Sequence, residues 1–160
     1  MNPTLNEPLA WSDSMALGHA RIDDEHQHLV ALIARLQQAA DDELPAALRA
    51  LSDEAMAHFA AEDDLMTATA FPPRDCHIKE HDAVLATLRG VAGRLARGEH
   101  EVARRLSAEL AAWFPAHVQH LDSALSHWLC KLRHGARPVV LHLGDDRRRA
   151  GPDRRDAVAA

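Results

Sequence analysis

The 160-residue chain has no tyrosine, two cysteines, three phenylalanines and three tryptophans. Each scarcity removes a class of function. So few aromatic rings do not make a stacking surface for bases. Cys76 and Cys130 are too few for a disulfide framework, and a reducing cytoplasm is the expected compartment. No run of about 18 apolar residues occurs, so no membrane span is encoded. The opening MNPTLNEPLAWSD lacks a basic start and an apolar stretch, so no secretory signal is expected. Positive charge is scarce outside the C-terminal end. Residues 133–160 hold seven Arg and four Asp, a balance of +3, while the whole chain carries −6. The remainder is therefore acidic, which argues against nucleic acid as a partner.

Histidine is abundant, with 12 residues. Neutral imidazole is the commonest metal ligand, so the count raises a metal hypothesis.

No useful β-alternation appears, and four stretches carry apolar residues at 3–4 spacing instead. RIDDEHQHLVALIARLQQAA puts Ile22, His26, Leu29, Ile33 and Leu36 on one face, with Asp23 as the expected N-cap. DDELP breaks the pattern, and Pro45 suits the first turn of a second helix over about 44–68. Its inward face reads Leu44, Leu48, Leu51, Ala55, His58, Glu62 and Leu65. ATAFPPRD is a loop, because its two prolines cannot continue a helix. A third helix over about 74–96 presents His77, His81, Val84, Leu88, Val91 and Leu95, and Gly98 stops it. A fourth, from about 99, presents Val102, Leu106, Leu110, Trp113, His117, Leu121 and Leu125. Pro115 is expected to kink or divide it. Short loops between comparable helices give an all-α fold, an antiparallel up-down-up-down four-helix bundle over 19–134. Residues 1–18 form an N-terminal arm, packed by Trp11, Met15 and Leu17. Residues 135–160 form a charged tail with little to bury, expected to be disordered.

Each helix sets polar residues into its apolar face. They are His26 on the first, His58 and Glu62 on the second, His77 and His81 on the third, and His117 with Asp122 on the fourth. Residues four apart stack about 6 Å apart on one side of a helix, so such pairs can converge on one ion or two. One such histidine alone reads as a hydrogen-bonded core residue. Seven polar groups together need compensation that apolar helices do not offer, and cations supply it. Seven ligands exceed one tetrahedral zinc and suit two ions. Imidazole with carboxylate fits iron, manganese or zinc. Two carboxylates can bridge, and five histidines divide three and two, leaving a vacancy for a small molecule. One spacing resists. Residues five apart differ by about 140° in direction on an ideal α-helix. His117 and Asp122 therefore either reach in from opposite flanks or rely on changed winding near Pro115.

Four segments carry a family resemblance over residues 11 to about 126: WSDSMALGHARIDDEH, HFAAEDDLM, FPPRDCHIKEH and WFPAHVQHLD. They resemble the hemerythrin family in its single-domain bacterial form, with its Trp, Gly and Ile-Asp-x-x-His opening, its His-Phe-x-x-Glu, its His-x-x-x-His and its Trp-x-x-x-His-x-x-x-x-Asp. The resemblance implies reversible O2 binding at a pair of non-heme iron ions. His77, His81 and His117 would hold one iron. His26 and His58 would hold the other, which takes O2. Glu62, Asp122 and a solvent-derived oxygen would bridge them. Trp113 and Phe114 would line the O2 pocket, Phe114 standing where the family has an aliphatic residue. Asp63 stands where Glu is frequent and is expected on the solvent side.

The resemblance implies carriage, storage or sensing rather than enzymatic turnover, with NO as an alternative ligand. Two enzyme readings compete. His77-x-x-Glu80-His81 matches the inverted zinc-protease motif, against the plainer reading of Glu80 as a surface residue. Oxidase or peroxidase chemistry at the iron pair is the other, but oxygen-activating bundles are richer in carboxylate. The remaining histidines, His19, His28, His100, His120, His127, His134 and His142, fit no ligand spacing and read as surface or hydrogen-bonded residues. A protein partner is not specified.

Overall fold

A computed structural model describes residues 7–135. Six residues of the expected arm, and all of the expected tail but Gly135, lie outside them. Among the described residues there is no strand, and no helix is long and apolar enough to cross a membrane. The elements are a 3-10 turn (Asp13–Met15), α1 (Ala20–Gln38), α2 (Leu44–Ala68), α3 (Arg74–Leu95), α4 (His100–His117), a π-helical turn (Val118–Asp122) and α5 (Ser123–His134). α4, the π turn and α5 run on as one rod, so the bundle has four members. α1 packs on α2 and α4, and α3 on α2 and α4, which makes a square ring.

The inward faces are nearly those the spacing predicts. Ile22, Leu29, Ile33 and Leu36 of α1 and Leu44, Leu48, Leu51 and Ala55 of α2 are buried. Leu65 is an exception, half-buried, while its neighbour Met66 is fully buried. The N-cap of α1 is His19 rather than Asp23. Asp23 sits in the first turn and reaches back, accepting from the backbone N–H of Leu17 at 2.8 Å and of Gly18 at 3.0 Å. An acid inside the first turn still satisfies free donors and suits the positive end of the helix. The arm is anchored by buried Met15, with Leu9, Trp11 and Leu17 packed beside it. Its Leu9 N–H donates to Gln37 at 2.7 Å.

Pro115 does not end α4, which continues to His117. The change of winding falls just after it, in the π turn.

Apolar packing is divided along the bundle. A large cluster runs from Leu36, Leu44 and Leu95 at the end bearing the α1–α2 and α3–α4 loops to Phe59 and Phe114 in mid-bundle. A small one, Met66, Phe71 and Leu125 with Ile78, Trp128 and Leu129 against it, closes the opposite end. The corner after α2 holds this end together. Phe71 N–H donates to Met66 C=O at 2.9 Å, and Ala70 N–H to Thr67 C=O at 3.2 Å. Phe71 then packs on Met66, which completes a Schellman stop. The indole N–H of Trp128 donates to the Thr69 hydroxyl at 3.1 Å, fastening α5 to the corner.

That stop needs a left-handed residue, and the position is filled by Ala70 at φ 51°. A Cβ there costs about 1–2 kcal/mol relative to glycine. Ala70→Gly is expected to stabilise the fold by about 1 kcal/mol, read as a raised Tm in thermal unfolding.

Candidate metal centre

Between the two apolar clusters lies a single polar layer. His26, His58, Glu62, His77, His81, His117 and Asp122 are all between 0 and 3% exposed. The helices deliver them as their spacing requires. His58 and Glu62 lie one turn apart on α2, and His77 and His81 one turn apart on α3. His117 and Asp122 meet because the winding widens between them. The N–H of Ser123 donates to the C=O of Val118, a bond five residues long. Five residues then make roughly one turn, and both side chains face inward. Gln119 and His120, between them, face solvent.

The two carboxylates divide their oxygens between two sets of histidines. Glu62 Oε1 lies 3.5 Å from His58 Nε2 and 4.0 Å from His26 Nε2. Its Oε2 lies 3.4 Å from His81 Nε2 and 3.7 Å from His77 Nε2. Asp122 Oδ2 is 3.2 Å from His26 Nε2, while Oδ1 is 3.0 Å from His77 Nε2 and 3.1 Å from His117 Nε2. Two groups result, His77, His81 and His117 with both carboxylates, and His26 and His58 with the same two. Within each, the donor atoms lie within 4.8 Å of one another, close enough to surround one ion.

The layer is not closed by its own hydrogen bonds. Both oxygens of Glu62 and of Asp122, both nitrogens of His26, Nε2 of His58 and Nδ1 of His77 are buried without a hydrogen-bond partner. His117 Nε2 lies 3.2 Å from His77 Nε2 and 3.3 Å from His81 Nε2, where one proton cannot serve both contacts. Each orphaned polar group costs about 1–3 kcal/mol. This donor set suits a pair of cations, which would satisfy these atoms at once.

The electrostatics of the polypeptide point the same way. Burial, then the charge of Asp122, pushes Glu62 up to about 7. Burial also acts to raise Asp122, but the nearby His117, His26 and His77 outweigh it and hold its carboxyl well below the usual range. Burial lowers His81 to about 4, against the opposing pull of Asp63. The polypeptide thus favours a neutral imidazole at His81, the form that ligates metal.

Several residues at the layer escaped sequence reasoning. Asp63, expected on the solvent side, turns to His81 Nδ1 at 2.8 Å. Glu80 is half-exposed, as a surface residue should be, yet it lies 2.8 Å from His117 Nδ1. Glu25 lies 2.7 Å from His58 Nδ1. All three are chain neighbours of inward residues, which is the signal that could have found them. Phe59, following His58, stacks on His81 with ring centroids 4.0 Å apart. Phe114 sets its edge on His26 at 5.4 Å, and Trp113 lies against His117 at 4.5 Å.

Two adjoining cation positions that share two carboxylates, inside four antiparallel helices, define a histidine-rich metal-binding bundle. The model of the hemerythrin HHE cation binding domain matches residues 17–129, and the chain belongs to the hemerythrin family. A bacteriohemerythrin of Ralstonia nicotianae is 37% identical over 152 residues, covering 95% of this chain and 98% of that one. A bacteriohemerythrin of Stenotrophomonas maltophilia is 27% identical over 120 residues, 72% of this chain and 78% of that one. The crystal structure of a hemerythrin point variant is similar with a TM-score of 0.71 at 20% identity, over 77% of this chain and 98% of that one. That likeness supports the fold. The family's cofactor is a non-heme di-iron centre, and the donor set here fits it.

The π turn amounts to one residue inserted in an α-helix. Deleting exposed Gln119 is expected to restore α winding, with His117 and the aspartate four apart and still inward, and to retain two irons per chain. Inserting an alanine after Gln119 should swing Asp122 out and lower iron content. Elemental analysis of the two purified variants checks both outcomes.

Proposed function

We propose that the protein binds O2 reversibly at an iron pair held by His26, His58, Glu62, His77, His81, His117 and Asp122, for carriage, storage or sensing. The carrying observation is the division of Glu62 and Asp122, each offering one oxygen to a three-histidine group and the other to a two-histidine group. When bound, the iron pair supplies the electrons for O2 uptake. His77, His81 and His117 fill one position more completely than His26 and His58 fill the other. The two-histidine side is where a small ligand finds room.

The surroundings of that side exclude water. Phe114 is 2% exposed and covers His26. Beside Phe114 and Phe59 lies a small apolar cavity of about 20 Å³, lined also by Leu29, Ile33, Leu51 and other apolar side chains. It is large enough for one water-sized molecule and offers no polar group to hold water. A dry wall slows proton delivery to a bound ligand and so favours its release unchanged.

The zinc-hydrolase alternative fits less well. Its base, Glu80, sits beside Nδ1 of His117, on the far side of the ring from the inward Nε2. The ratio of five histidines to two carboxylates also leans toward reversible binding over oxygen activation.

Protein reduced under argon and then exposed to air should gain a visible absorption band that fades when O2 is removed, with two irons per chain by elemental analysis. One zinc without iron, or a band that does not reverse, sinks the reading. Phe114→Ala should open the apolar wall and speed decay of the oxygenated band, at a cost of about 3–5 kcal/mol in stability. An unchanged decay rate in a folded, fully iron-loaded variant would separate Phe114 from ligand protection.

A further inference from the structure

Three carboxylates outside the seven inward residues make their contacts in one rotational sense. Glu25 on α1 meets His58 Nδ1 on α2 at 2.7 Å. Asp63 on α2 meets His81 Nδ1 on α3 at 2.8 Å, and Glu80 on α3 meets His117 Nδ1 on α4 at 2.8 Å. Each acid adjoins an inward residue of its own helix: Glu25 precedes His26, Asp63 follows Glu62, and Glu80 precedes His81. Every helix but the last thus points one or two side chains into the layer and uses a chain neighbour of one of them to grip the next helix. The fourth seam, from α4 back to α1, has no such grip among the described residues. His26 Nδ1 is buried without a partner. The residues flanking His117 and Asp122 are Ala116, Val118, Leu121 and Ser123, none of them acidic.

An ionised carboxylate only accepts hydrogen bonds, so the imidazole it grips must carry its proton on Nδ1. The Nε2 lone pair is then free and aimed inward. The contact fixes ring rotation and raises the basicity of the free nitrogen. The three-histidine group has two gripped rings, His81 and His117, with His77 Nδ1 unpartnered. The two-histidine group has only His58.

We propose that Glu25, Asp63 and Glu80 are positioning residues that latch His58, His81 and His117 for metal binding, and that the open α4–α1 seam leaves the His26 and His58 group with one latch against two in the other group. It follows that the ion held by His26 and His58 leaves first. The proposal rests on the di-iron reading and is tested apart from O2 binding. Ferrous protein is mixed with an iron chelator under argon and release is followed in time. Wild type should release iron in two phases, one ion in each. Glu25→Ala should speed the fast phase about tenfold to a hundredfold and leave the slow one. Asp63→Ala and Glu80→Ala should speed the slow phase by a similar factor. Glu25→Gln, Asp63→Asn and Glu80→Gln keep an acceptor oxygen and should recover most of the retention. Circular dichroism melts of the metal-free variants should match wild type, since all three acids are partly exposed.

Two irons in wild type with unchanged release from all three alanine variants would overturn the latches. Equal acceleration of both phases without recovery would also overturn them and leave a packing role. Wild-type iron content is measured first. Fewer than two irons there would remove the di-iron reading itself, and the proposal with it.

Discussion

Burying an ionised carboxylate costs several kcal/mol unless charge and hydrogen bonds answer it. This chain buries two carboxylic side chains, Glu62 and Asp122, in one layer of its core. Most of the architecture near that layer follows from having to answer them. Histidines come in from all four members of the bundle, because one helix presents only one or two residues at a given height. The loops stay away from the layer, at the ends. Apolar clusters lie on both sides of it, so the charges of the layer cannot be relieved by bulk water. Cations are the remaining answer, and the split of each carboxylate between two histidine groups gives them two places.

The balance of charge extends beyond the buried acids. Glu25, Asp63 and Glu80 bring three more carboxylates within hydrogen-bonding distance of the histidines, each from the partly exposed side of a helix. Buried acids touch the metal positions directly, and peripheral acids act through an imidazole. Such a graded arrangement lets the inner acids stay dry while the outer ones keep part of their hydration. It also divides labour along the chain, since one residue points inward and its neighbour reaches sideways.

Much of this was legible in the sequence for a simple reason. The α-helical period is rigid enough that His58 with Glu62, and His77 with His81, can be placed on one face by counting. The helix bounds of α2 were equally readable, from Pro45 at one end and the two prolines near Phe71 at the other. Asp122 was not legible by counting, because an i, i+5 pair diverges on an α-helix and only the family resemblance supplied it. The π turn that reconciles the pair depends on local hydrogen bonding that periodicity does not encode. Asp63, Glu25 and Glu80 were missed because residues flanking an inward face read as solvated, and only the position of the next helix decides otherwise. Asp23 failed as a cap for a related reason: an acid in the first turn can reach back to N–H groups that precede the helix, here those of Leu17 and Gly18, so its presence does not mark the boundary.

The unequal apolar clusters give the bundle a strong end and a weak one. Opening a structure locally costs least where little apolar surface is exposed. The end closed by Met66, Phe71, Leu125 and the Trp128–Thr69 contact has the smaller reserve. Its amides, in α5 and the corner after α2, should exchange with solvent before those in the middle of α1 or α2. Transient fraying there brings water closest to the polar layer. The long apolar end, with the larger reserve, keeps the helices in register.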